Sequence, residues 1–99
     1  MADAQYELTT GPLIDTIFVF EIGGQYVNVN KEKGTIQNVF FNNDGIRIRI
    51  ELGGTIGQKW TLEVSIDDNG KKLTTVPKKI EGTVGAGGGS WFDRNCILV

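Results

Sequence analysis

With 99 residues, 14 of them glycine, one cysteine and no histidine, the chain has room for a single folded domain, residues 1–99, and none for an intrachain disulfide. Its formal charge of -2 is spread over interleaved acidic and basic residues; with no concentrated positive face, nucleic acid is disfavoured as a partner. Without histidine the commonest general base and metal ligand is missing, so Ser–His and Cys–His nucleophile systems and ordinary zinc sites are excluded and the chain reads as a non-enzyme with no cofactor and no metal.

Residues 1–5 show neither a basic nor an apolar signal-peptide region, which points to a cytoplasmic or leaderless secreted setting. Ile14 to Ile22 is apolar on both faces, with Phe18 and Phe20 on one and Ile17 and Val19 on the other. Such a strand is central or lies under a partner subunit. Its apolar run is far too short to span a bilayer, so a membrane partner is disfavoured. Gly23-Gly24 separates it from a strand over residues 25–30, and Lys33-Gly34 marks a further reversal.

Asn42-Asn43-Asp44-Gly45 and Asp67-Asp68-Asn69-Gly70 are hairpin signals, because Asx-Gly pairs tolerate the positive φ of tight turns. Between them run two alternating segments, residues 46–52 and 60–66, each with every second side chain apolar. Gly53-Gly54 reverses the chain between them, and Val76-Pro77 is expected to end a strand. Counting gives about seven or eight short strands, the pattern of an all-β, antiparallel β-sandwich, with a small barrel as the alternative. The expected core is Phe18, Phe20, Val27, Val29, Ile36, Phe40, Ile46, Ile48, Ile50, Leu62, Val64 and Ile66.

Residues 84–95 form the most unusual segment. Gly87, Gly88 and Gly89 let backbone amides approach a ligand, and Trp91, Phe92, Asp93 and Asn95 follow within six positions. An aromatic face for the C–H side of a pyranose, with carboxylate and amide groups for its hydroxyls, is the inventory of a sugar site. The plainer reading is a flexible hairpin loop whose Trp91 or Phe92 caps the core. The string from Gly87 to Asp93 resembles the opening strand of jacalin-type lectins over seven residues, at the opposite end of the chain, and the likeness stops there. No Gly-Lys-Ser/Thr follows the glycines, so this is not a phosphate loop.

Asp67-Asp68-Asn69-Gly70 lacks the spaced ligands of a calcium loop and serves its own turn. Cys96-Ile97-Leu98-Val99 fits the C-a-a-X lipidation pattern, but valine is not a typical last residue and no polybasic stretch precedes it. The end of a strand with a buried thiol is the simpler reading. Arg47, Arg49 and Glu51 make a charged strip on one strand face, solvated and unfavourable to edge pairing.

The leading expectation is therefore a lectin-like module binding a glycan or other small polar ligand, as a homo-oligomer that gains affinity by multivalency. The alternative is a structural, assembly or partner-binding protein (an inhibitor, toxin component or membrane-active β-protein) with the strand Ile14–Ile22 as its interface.

Overall fold

The computed structural model describes residues 2–12, 14–27 and 32–99. Eight antiparallel strands account for most of them: β1 Ala2–Thr10, β2 Ile14–Ile22, β3 Gln25–Tyr26, β4 Lys33–Val39, β5 Ile46–Gly54, β6 Lys59–Asp68, β7 Lys71–Thr83 and β8 Gly89–Leu98. Their order, β3-β2-β5-β8-β7-β6-β1-β4, makes two four-stranded layers joined through β7 and β8, an antiparallel sheet nearly closed into a barrel.

Alternation decides which side chains meet between the layers. Tyr6 and Leu8 from β1, Trp60, Leu62, Val64 and Ile66 from β6, and Ile46, Ile48, Ile50 and Leu52 from β5 are all buried. Tyr6 meets Phe20 of the facing layer edge-on, with ring centroids 5.3 Å apart. A one-residue slip of β5 would expose its four buried side chains at about 2 kcal/mol each. That is comparable to the whole stability of a small domain, so the register is firmly set.

Two turns follow from their residues. Asn69 (φ 52) and Gly70 (φ 87) form a two-residue hairpin between β6 and β7, and Gly23-Gly24 likewise joins β2 to β3. Asn42-Asn43-Asp44-Gly45 differs from expectation: β4 and β5 lie in different layers, so this turn carries the chain across the core instead of pairing its flanking strands. Lys33-Gly34 is also no reversal, since both residues lie within β4 and pair with Glu7 and Tyr6.

Phe18 and Phe40 are not in the core, being 67% and 68% exposed. Each follows or forms a β-bulge, which adds a residue and inverts the alternation beyond it. In β2 the register steps from Ile17↔Leu52 to Val19↔Glu51, leaving Phe18 out of the ladder. Ile17, Phe20 and Ile22 then share the inner side. In β4 the step from Ile36↔Ala4 to Val39↔Ala2 brackets Asn38 at φ 60, so Val39 turns inward and Phe40 outward. Val29 lies outside the described residues, as do Asn28 and Asn30.

Pro77 does not end a strand; β7 runs through it. Opposite Val64, four residues of β7 (75–78) leave the ladder with β6, and Thr75 and Val76 pair instead with Leu98 and Ile97 of β8. Proline is tolerated in such a bulge because no ladder amide is required of it. The buried Thr75 hydroxyl donates to the Pro77 carbonyl at 2.9 Å.

Candidate functional site

Strand β8 sorts its residues by parity. Gly89, Trp91, Asp93 and Asn95 stand opposite Gly53, Glu51, Arg49 and Arg47 of β5 and share the outer face of the β3-β2-β5-β8 layer. Phe92 and Arg94 fall on the other parity, opposite buried Ile50 and Ile48. Phe92 packs against the core, and the Arg94 guanidinium lies 5.1 Å from its ring centre. The segment thus brings Trp91, Asp93 and Asn95 together and sends Phe92 elsewhere.

The glycines preceding Trp91 form an ordered turn. Gly88 N–H donates to the Gly85 carbonyl at 2.9 Å, and Gly85 N–H donates to the Gly89 carbonyl at 3.0 Å. Gly88 takes φ 80, the left-handed residue that this hairpin turn requires. Gly54 N–H donates to the Gly88 carbonyl at 2.9 Å, pinning the turn to β5. At Gly87 a side chain would meet nothing within 4 Å, so that position lies at the open tip.

Trp91 is 74% exposed. Its aromatic neighbour is one that sequence alternation misses. The bulged Phe18 lays its ring over Gly53, where an added Cβ would come 3.0 Å from Phe18 Cε2. Gly53 lies on β5, between β2 and β8, so the backbones that carry Phe18 and Trp91 are two strand spacings, about 10 Å, apart. The signal in the sequence is a glycine at the end of an otherwise alternating strand, which allows close approach by a neighbour.

Charges fill the rest of this face. Arg47 donates from Nε and Nη2 to the two carboxylate oxygens of Asp93, both at 3.0 Å. Arg49 lies 3.2 Å from Glu51, 3.8 Å from Glu21 and 4.0 Å from Asp93. The hydrogen bonds from Arg47 hold the Asp93 carboxyl below the usual carboxylate range, and Asp93 in turn raises Arg47. Asp93 is therefore engaged by two guanidiniums. Asn95 stands on the same face opposite Arg47, and its side-chain amide has no hydrogen bond among the described residues.

Two other sequence features have local roles. Asp67 Oδ1 accepts the Gly70 N–H at 2.9 Å within its own turn. Cys96 is 1% exposed opposite Ile46, and burial raises its thiol pKa. No protein-family model, curated protein or solved structure matches this chain.

Proposed function

We propose that the chain is a non-enzymatic, lectin-like binding module that takes a glycan on the outer face of the β3-β2-β5-β8 layer. The observation that carries this reading is the presence of two exposed aromatic side chains, Phe18 over Gly53 and Trp91 on β8, on one sheet face. A solvent-exposed tryptophan beside a phenylalanine offers an apolar platform for the C–H face of a sugar ring. Glu51 and Asn95 border it with an acceptor and an amide for hydroxyl groups. The arginines are matched by Glu21, Glu51 and Asp93, so the face favours an uncharged sugar over a sulfated or sialylated one. Such a site is shallow and binds single sugars weakly, which makes a homo-oligomer the natural route to avidity.

A glycan array with fluorescently labelled protein tests this reading. A selective signal that disappears in a folded Trp91→Ala variant is the expected result. A blank array, or a signal for uncharged glycans that is indifferent to Trp91, would overturn it.

A second reading is an assembly or partner-binding protein that uses β2. Here the support is that Phe18 is exposed on β2, a strand whose pairing with β3 covers Glu21 and Ile22 among the described residues, with Val27 N–H donating to the Phe20 carbonyl. Two bulges in the same strand discourage continuous strand addition, which places this reading second. Sedimentation over a wide concentration range separates the two: a strictly monomeric species that still binds glycans leaves only the first.

A further inference from the structure

The outer face of the other layer, β4-β1-β6-β7, carries a groove of about 420 Å³. That volume is in the range of small-ligand sites. Its origin is the detour of β7. Where residues 75–78 leave β6 to meet β8, the sheet is interrupted beside Val64, and Lys78 stands at that end of the groove.

Two transverse rows of side chains wall the groove. Lys33, Glu7 and Glu63 stand in register across β4, β1 and β6, and Thr35, Gln5 and Ser65 form the parallel row. Glu7 and Glu63 are direct cross-strand partners, a like-charge juxtaposition at the centre. Glu63 has Lys79 at 3.6 Å. Among the described residues Glu7 makes no ion pair although Lys33 is its register partner, and neither Lys33 nor Lys78 is ion-paired. The arginines on the opposite face are committed to carboxylates; these lysines are not.

We propose that this groove binds a short acidic oligosaccharide, anionic at both ends and uncharged but hydroxyl-bearing in the middle. Lys33 and Lys78 lie on the first and last strands of the layer, three strand spacings or about 14 Å apart. A ligand charged at both ends can engage the two together. Glu7 and Glu63 repel negative charge at the centre but accept hydrogen bonds from hydroxyls there, as do Thr35 and Ser65, while Gln5 Oε1 accepts from Lys72 at 3.3 Å. The one aromatic lining residue, Tyr6, is buried, so ring stacking is not on offer and charge must select the ligand. This site is independent of the Trp91 face.

The test is titration calorimetry at low salt with the trisaccharide glucuronate–N-acetylglucosamine–glucuronate, against the neutral trimer of N-acetylglucosamine. The acidic trimer is expected to bind and the neutral one to bind about tenfold more weakly, two solvent-exposed ion pairs supplying the difference. Lys33→Ala and Lys78→Ala should each weaken the acidic trimer roughly two- to fivefold. Both lysines are exposed, so unchanged melting temperatures confirm that these variants fold. Trp91→Ala should leave this binding untouched. Equal binding of the two trimers, no binding of the acidic one, or a loss in Trp91→Ala without one in the lysine variants would each overturn the proposal.

Discussion

Arg47 and Asp93 bond diagonally. In the β5–β8 register Arg47 stands opposite Asn95, and Asp93 opposite Arg49, yet both Asp93 oxygens accept from Arg47 at 3.0 Å. Long side chains reach diagonal neighbours in a sheet, and the planar guanidinium fork matches a carboxylate with two parallel bonds. The arrangement ties the row Glu21–Arg49–Asp93 to the next row through Arg47.

Acid should weaken that tie in a defined direction. The folded-state pKa of Asp93 lies below its ordinary value of 3.8. Its contribution to stability is therefore present above that value and lost as pH falls through the folded-state pKa. Asp93→Asn should melt slightly lower than the parent at pH 7, and the gap should close once the pH is well below 3.8. Thermal melts from pH 7 to pH 2 (about half-unit steps) read this directly.

Neighbouring aromatics on opposite faces should respond oppositely to truncation. Trp91→Ala is expected to change stability by less than about 0.5 kcal/mol, as exposed substitutions do, while abolishing the binding of uncharged glycans. Phe92→Ala removes a ring packed on the core and should cost about 2 kcal/mol, with any effect on binding following from the lost fold. Urea titrations of the two variants give the contrast.

Trp60 fixes the distance between the layers. It is 1% exposed, and its indole N–H donates to Ser90 Oγ of the facing layer at 2.9 Å. A methyl group at Gly82 would fall on this indole, so Gly82→Ala should destabilise by about 2 kcal/mol. Ser90→Ala leaves the indole donor without its acceptor and should cost about 1–3 kcal/mol. Denaturant midpoints at unchanged slope would show both as losses of native packing.

Cys96 should resist thiol reagents until the domain unfolds, its modification rate rising with urea in step with the unfolded fraction. Burial raises the pKa of both Cys96 and Tyr6, from ordinary values of 9.0 and 10.0. The native state thus holds these protons more tightly than the unfolded chain, and stability should decline as the pH climbs beyond 9.0. Cys96→Ala should soften the first part of that decline.

Much of the architecture is legible from alternation and turn chemistry. Residues 46–52 and 60–66 bury the side chains that their period-two pattern assigns to the core, and Asn69-Gly70 turns as its residue types require. The two misplaced core residues share one cause. Phe18 and Phe40 are misplaced because a bulge inverts parity, and an inserted residue leaves no mark in the hydrophobic pattern. The first strand is quieter still: Ala2-Asp3-Ala4-Gln5-Tyr6-Glu7-Leu8 alternates regularly, but two of its core positions are alanines with little apolar surface. In the candidate site, parity alone predicts that Trp91, Asp93 and Asn95 share a face that Phe92 does not. That Phe18 lies on the same face depends on the bulge and on Gly53, a relation between two strands far apart in the chain that no local pattern contains.

Because β7 pairs with β6 at both ends and with β8 in between, one strand belongs to two layers. Neither layer can come apart without breaking bonds that hold the other. Cooperative unfolding follows from this connectivity: the Thr74 amide, which donates to the Val99 carbonyl, should exchange with solvent only at the rate of global opening, and the two halves should be lost in a single transition. The stitch converts a pair of marginal four-stranded sheets into one thermodynamic unit.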